Sequence, residues 1–228
     1  GNHDALKKTI NKNTAAIMVE SILGEGRIKV IPNECLIVLR TLCDEHDILL
    51  FLDEVQCGIG RSGKFFAFEW SGIEPDIVPI AKGIGGGFPI GACLVNKKAG
   101  SGMKPGSHGS TFGGNPLAMS VGNAVLDIIL EKGFLSNVIK QGEYFQSQLI
   151  NVKEKYSDII EEVRGKGLLR GIKLKVDNVK FLNQLFDHKL LAVKAGENVI
   201  RLLPPLIVSS KEIDEAISII EKVCENLK

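Results

Sequence analysis

The chain has 228 residues, 44% of them apolar, with 28 Lys and Arg against 27 Asp and Glu and a formal net charge of +1. Near-neutral charge without a basic tract argues against nucleic-acid partners, and no apolar stretch approaches the roughly 20 residues that cross a bilayer. Cysteine is odd in number and never spaced C-x-x-C, which argues against a disulfide framework or a thiolate zinc site and suits a cytoplasmic protein with buried thiols. The opening Gly1-Asn2-His3-Asp4 is not a natural start, so any targeting segment upstream would lie outside this sequence.

In chain order, residues 4–10 are predicted helical and 14–20 a buried strand, and Pro32 introduces a helix with Leu36, Leu39 and Cys43 on one face. Residues 48–53, an apolar run ending in Asp53, read as a strand covered on both faces of a parallel sheet. Short strands follow at 76–80 and 89–95 between glycine-rich turns. Asn115-Pro116 caps and opens a helix to about residue 129, and another helix occupies roughly 135–156. Beyond it come strands near 159–164 and 168–175 around Gly165-Lys166-Gly167, a helix near 178–188 and a strand near 198–203. The last helix starts at a capping box, Ser209 to Glu212, with Ile213, Ile217, Ile220 and Leu227 as its apolar stripe. The fold class expected is α/β for residues 1–132, followed by a smaller α+β domain over 133–228.

Three features of the first domain compete as chemistry. Gly58 to Lys64 fits G-x-x-x-x-G-K, but Phe65 stands where a P-loop needs Ser or Thr, and no helix-start pattern follows. Gly83-Ile84-Gly85-Gly86-Gly87 resembles a dinucleotide fingerprint, yet Phe88 replaces its last glycine. The third is Asp53 at one strand end and Lys82 after the next strand. Ligands of open α/β sheets bind at the carboxyl ends of strands. There a lysine amine can form a Schiff base with a cofactor aldehyde, while a carboxylate keeps the cofactor's ring nitrogen protonated. A capping or surface acid and a solvated loop lysine are the plainer readings of the same two residues. None of His3, His46, His108 and His188 falls in a catalytic pattern.

The residues decide more when read together. Leu39-Arg40-Thr41-Leu42-Cys43-Asp44-Glu45, Asp53-Glu54-Val55-Gln56, Gly60-Arg61-Ser62-Gly63, Pro75-Asp76-Ile77, Ala81-Lys82-Gly83 and Gly85 to Ala92 follow in order. Ser110 to Pro116, Val163 to Leu168 and Ile200 to Leu206 continue the series. This text resembles the class III pyridoxal-phosphate-dependent aminotransferases, and within them the acetylornithine type. The resemblance implies the C-terminal part of a fold-type-I transferase: a mostly parallel sheet with flanking helices, then the small domain. Family members run to nearly twice this length. The resemblance therefore implies that the N-terminal half lies outside this chain, that the sheet here has exposed edges, and that the 228 residues alone are inactive.

Residue by residue, the resemblance implies that Lys82 carries pyridoxal 5'-phosphate and shuttles the proton, and that Asp53 binds the ring nitrogen. Gln56 would bind the ring hydroxyl and Val55 the ring face, with Glu54 also in the cofactor-binding run. Thr111 would bind the phosphate of the neighbouring subunit of a homodimer, with Ser110 near the substrate. Arg201 would clamp the substrate carboxylate, and Glu25 would act as its gate, released when 2-oxoglutarate enters. The gate loop departs from its relatives, reading Glu20-Ser21-Ile22-Leu23-Gly24-Glu25-Gly26-Arg27 where Glu-Pro-Ile-Gln-Gly-Glu-Gly-Gly is usual. The implied reaction moves the terminal amino group of N2-acetylornithine to 2-oxoglutarate in arginine synthesis. Ornithine, 4-aminobutyrate or succinyl-diaminopimelate are the alternative donors, and a non-enzymatic module is the alternative role.

Overall fold

A computed structural model describes residues 2–228. From the N-terminus, α1 (His3–Thr9), β1 (Ala16–Glu20), the short strands β2 (Ile22–Leu23) and β3 (Lys29–Val30), α2 (Asn33–Glu45) and β4 (Leu49–Asp53) come first. Then follow β5 (Ile77–Ile80), β6 (Ala92–Val95), α3 (Lys97–Gly100), α4 (Pro116–Ile129) and α5 (Phe134–Lys155). The chain closes with β7 (Ile160–Lys166), β8 (Leu169–Leu174), α6 (Asn178–Asp187), β9 (Val193–Ala195), β10 (Val199–Leu202) and α7 (Ser210–Asn226). It divides into two units, and the division is not a single cut near residue 132. Residues 22–30 and 60–63 belong with the second unit, because the β2–β3 hairpin and the 60–63 turn make their contacts there.

The first unit is an α/β layer. Its sheet runs β1-β4-β5-β6, with β1, β4 and β5 parallel and β6 antiparallel at the edge. Pro32 precedes α2, whose Leu36, Leu39, Leu42 and Cys43 are buried. Leu36, Leu39 and Cys43 share a core with Ile48, Leu50 and Leu52, and each buried leucine contributes about 1.5–3 kcal/mol. The apolar run of β4 is covered more thoroughly on one face than on the other: Leu50 and Leu52 are fully buried, whereas Leu49 and Phe51 keep partial exposure. Both sheet edges expose apolar groups, Met18 of β1 at 64% and every residue of β6. Asn115 caps α4 by accepting from the Ala118 amide at 2.9 Å, with Pro116 at the first helical position.

The second unit is an antiparallel sheet, β7-β8-β10-β9, packed with α5, α6 and α7. Its core joins Val138, Phe145 and Leu149 of α5 to Ile172, Phe181, Leu185, Ile200, Ile213, Ile217 and Ile220. Close backbone approach fixes its glycines. A Cβ on Gly142 would lie 2.7 Å from the Gly167 carbonyl carbon, and one on Gly167, at φ +58°, would lie 2.5 Å from that of Ser62. α7 begins at the expected capping box: Ser209 Oγ accepts from the Glu212 amide while Glu212 Oε2 accepts from the Ser209 amide.

The strands β2, β3 and β9 and the helix α3 hold two to four residues each, too few for periodicity to announce them. Among the described residues no helix is long and apolar enough to cross a membrane, and no His, Cys, Asp and Glu cluster could hold a metal ion. All five cysteines are free thiols.

Candidate functional site

The parallel strands of the first unit bring their carboxyl ends to one edge. Glu20 of β1 is in register with Asp53 of β4, and Phe51 of β4 with Ile77 of β5. The Glu54 amide extends the ladder by donating to Pro79 O at 3.1 Å. Asp53 therefore ends one strand two residues past its registered pair, and Lys82 follows the end of the adjacent strand. Asp53 Oδ1 accepts from the Val55 amide at 2.9 Å, and its Oδ2 takes no hydrogen bond from the described residues. Lys82 is exposed and opens a single 3-10 turn, Lys82–Gly85, at φ +48°. A side-chain-bearing residue held in the left-handed region costs about 1–3 kcal/mol and marks a place where the surroundings dictate the backbone. Here a Cβ on the next residue, Gly83, would sit 3.3 Å from Ile59 Cβ, so the turn is pressed against its neighbour.

This geometry disposes of two motif readings. The glycine run after Lys82 leads from the 3-10 turn into β6, an antiparallel edge strand, so it does not open the helix that a dinucleotide fingerprint requires. The segment Gly58 to Lys64 is followed by a 3-10 turn at Ala67–Trp70 and not by an α-helix whose amides could cradle phosphates. Lys64 Nζ instead lies 5.3 Å from the Trp70 ring centroid. Arg61 is spent inside the second unit, donating from Nη1 to the carbonyls of Leu168 and Pro204, and burial lowers it to about 10.

Glu54 is turned away from the strand-end surface. It is fully buried, with Oε1 accepting from Ser21 Oγ at 2.9 Å and the Phe68 amide at 3.1 Å. Oε2 accepts from the Ala67 amide at 2.9 Å and Cys57 Sγ at 3.4 Å. Burial pushes its carboxyl above the usual range, and the four donors only partly oppose that. Its side chain joins segments of the unit and has no oxygen to spare for a ligand, so among the residues expected to meet a cofactor it is redirected to the interior. Adjacent residues of an extended strand point to opposite faces, which is why Asp53 and Glu54 part company. Val55 and Gln56 sit half-buried in the turn that follows.

Ser110 and Thr111 lie in an exposed segment without regular structure before α4. Neither hydroxyl makes a hydrogen bond among the described residues, and the helix cap falls to Asn115, whose Nδ2 also donates to Phe112 O at 2.8 Å. Phe112 beside them is 80% exposed, and Leu117 and Ile128 of α4 and Leu130 at its C-cap are exposed to lesser degrees.

In the second unit the structure brings the other expected pair together across 176 residues of sequence. Arg201 of β10, 9% exposed, donates from Nη1 to Glu25 Oε1 at 2.8 Å, and the Glu25 side chain is 77% exposed. Arg201 is registered opposite Gly171 of β8, where a Cβ would lie 2.9 Å from Ile28. A planar guanidinium on a buried strand, met by one mobile-length carboxylate at the surface, can exchange that partner for a ligand carboxylate.

Sequence reasoning missed two buried groups. Asp76 accepts from the Leu50 amide at 2.7 Å, Arg40 Nη1 at 2.8 Å and Asn96 Nδ2 at 2.6 Å. Burial pushes it up, but these donors outweigh that and leave it below the usual carboxylate range. Arg170 donates to the carbonyls of Gly167, Gly165 and Gly142 with no carboxylate in hydrogen-bond reach, and burial lowers it to about 10. Arg170, between Leu169 and Gly171, carries no motif that announces this, whereas Asp76 sits in the Pro75-Asp76-Ile77 run.

Residues 2–224 match the Aminotransferase class-III family. The acetylornithine aminotransferase of Agrobacterium fabrum is 53% identical over 227 residues, covering 100% of this chain and 57% of that protein. The one from Mesorhizobium japonicum is 55% identical, over 94% of this chain and 54% of that protein. Among solved structures, ornithine aminotransferase PY00104 from Plasmodium yoelii superposes with a TM-score of 0.93 at 33% identity, over 99% of this chain and 61% of that one. Acetylornithine aminotransferase from Elizabethkingia anophelis gives 0.90 at 37% identity, over 97% and 57%. The chain thus spans little more than half the length of the relatives it matches.

Proposed function

Because the chain belongs to the class-III aminotransferases, we propose that it is part of a pyridoxal 5'-phosphate enzyme that moves the terminal amino group of N2-acetylornithine to 2-oxoglutarate in arginine biosynthesis. The observation that carries this reading is the pairing of Asp53 and Lys82 at the carboxyl ends of adjacent parallel strands, Lys82 in a strained left-handed conformation. The residues fit the group: Asp53 keeps Oδ2 clear of the described residues, and Lys82 presents an exposed amine.

When bound, pyridoxal phosphate supplies an aldehyde carbon and an electron-accepting ring. Lys82 Nζ would hold it covalently and, once free, would act as general base at the substrate carbon and as general acid at the cofactor's former aldehyde carbon. Asp53 would hold the ring nitrogen in its protonated form, an effect that strengthens as water is excluded. Val55 packs on the ring, Gln56 binds its hydroxyl, and Thr111 binds the phosphate of a neighbouring subunit, with Ser110 near the substrate. The exposed Phe112 beside Thr111, together with the exposed Leu117 and Ile128 of α4, supports a homodimer that buries them. Arg201 binds the carboxylate of 2-oxoglutarate, and Glu25 covers Arg201 when the amino donor reacts at its distal amine. The composition suits a cytoplasmic enzyme.

Lys82→Ala in the full-length, cofactor-loaded protein tests the centre of this reading. Turnover is expected to fall by about 10⁴-fold or more, and the visible absorbance of the lysine-bound cofactor is expected to vanish. Unchanged turnover would refute the assignment. Donor ratios with N2-acetylornithine and ornithine sharpen it. Ornithine is the second reading, favoured by the superposition on a solved ornithine aminotransferase, but the greater identity to acetylornithine enzymes supports the first.

A further inference from the structure

Four non-glycine residues near Glu25 hold positive φ: Arg27 at +122° and Ile28 at +53° in the loop that carries Glu25, and Glu197 at +56° and Asn198 at +61° in the turn between β9 and β10. Two consecutive left-handed residues suit the tight turn of a right-twisted hairpin, and Asn tolerates such a place, whereas Glu does not favour it. Arg27 stands in a region that belongs almost wholly to glycine. These two unfavourable residues are the two ends of one ion pair, Arg27 Nη1 to Glu197 Oε1.

The pair is the centre of a small network. Arg164 Nη1 reaches Glu197 Oε2 at 3.1 Å and the Arg27 carbonyl at 3.3 Å, and Arg164 Nε reaches Glu162 Oε2 at 2.6 Å. The Gly196 amide donates to Glu25 O at 3.0 Å, so the same turn also grips the backbone of residue 25. That turn is fixed in its own unit: Asn198 Nδ2 donates to Leu174 O and Val176 O, both at 2.7 Å, and Oδ1 accepts from the Asn178 amide at 3.0 Å. One side of the loop is thus tied to an anchored turn by side chains that accept an unfavourable backbone to reach each other.

Resting on the gate reading of Glu25 and Arg201 given above, we propose that Arg27 is a specificity-determining residue: through Glu197 it latches the loop that presents Glu25, keeps that carboxylate on Arg201, and so disfavours dicarboxylate substrates relative to the amino donor. Releasing the latch frees the loop, and Arg201 becomes available to a second carboxylate more of the time. Arg27 and Glu197 side chains are each about two-fifths exposed, 39% and 40%, so the pair is screened and its influence is modest. A population shift of that size still changes the relative affinity for two ligands that bind different loop positions.

Glutarate, a dicarboxylate without a reactive carbonyl, is titrated calorimetrically into the cofactor-loaded full-length protein and into its Arg27→Gly, Glu197→Gln and Glu25→Gln variants. Glycine suits φ +122°, so Arg27→Gly removes the latch without adding strain, and Glu197→Gln removes the charge from the other end. The latch requires each to tighten glutarate about 3- to 5-fold, with no further gain in the double variant, because both break one interaction. Glu25→Gln is expected to tighten it at least as much. Parent-like affinity in both Arg27→Gly and Glu197→Gln, with tightening in Glu25→Gln, overturns the latch and leaves the gate standing. No change in Glu25→Gln removes the gate, and the latch falls with it.

Discussion

The buried charges of the first unit are acids, and those of the second are guanidiniums. Glu54, just past the carboxyl end of β4, and Asp76, just before the amino end of β5, each collect three or four donors from separate segments. Arg61 and Arg170 instead satisfy backbone carbonyls around Gly165 and Gly167. The apolar cores differ as well: six buried residues gather on α2, β4 and the turn before β4, while the second unit's core runs through three helices and the central strands of its sheet. A buried carboxyl raised by burial can titrate between about pH 5 and pH 8, whereas guanidiniums lowered to about 10 stay charged across that range. Between about pH 5 and pH 8 the unit that presents Asp53 and Lys82 should therefore feel pH through Glu54, and Arg61 and Arg170 of the other unit should not.

Removing an acid tests this most severely. Glu54→Ala leaves Ser21 Oγ and the Ala67 amide buried without an acceptor, and the expected cost is about 3 kcal/mol, read from urea or thermal unfolding of the first unit. Because burial raises Glu54, its ionisation disfavours the folded state: the parent loses stability as pH rises from about 4 through the raised value, and Glu54→Ala lacks that loss. Asp76→Asn has the opposite sign and a smaller size. It is expected to cost about 2 kcal/mol at neutral pH, since Asn cannot answer both Arg40 and the Leu50 amide with a charged oxygen. The Asp76 value is lowered by folding, so its contribution is present above about pH 4 and is lost as pH falls through the folded value. Unfolding curves that keep a constant gap between parent and Asp76→Asn down to pH 2 would show that its ionisation does not organise the strand ends.

The sequence made legible what depends on neighbours a few residues away. Asn115-Pro116 and Ser209 to Glu212 announce helix starts because caps are local hydrogen bonds, and the structure begins α4 and α7 there. Asp53 and Lys82 were legible because each follows an apolar run, and a run ends where the sheet does. The burial of Glu54 follows from strand alternation, which assigns it to the face opposite Asp53. The Gly58 to Lys64 turn imitates a phosphate loop because glycines serve both purposes; a Cβ on Gly63 would lie 2.5 Å from Ile139, so packing accounts for that one. The Arg27 and Glu197 pair spans 170 residues, and no spacing rule reaches that far.

The smallest effect lies in the second unit and provides the contrast. Ser209→Ala removes the oxygen that caps α7 at Glu212, and Glu212 loses the hydroxyl that helps hold its carboxylate below the usual range, after the Ser209 amide. Such a cap contributes about 1 kcal/mol. The rest of α7 is held by Ile213, Ile217, Ile220 and Val223 in the apolar core, which no proton reaches. The expected result is faster hydrogen exchange confined to the first turn of α7, with the same loss of stability at pH 5 and pH 8, since Glu212 is ionised at both. A loss that grows between those values would mean that a titrating group also steadies this unit, and the contrast between an acid-held and an arginine-held interior would no longer hold.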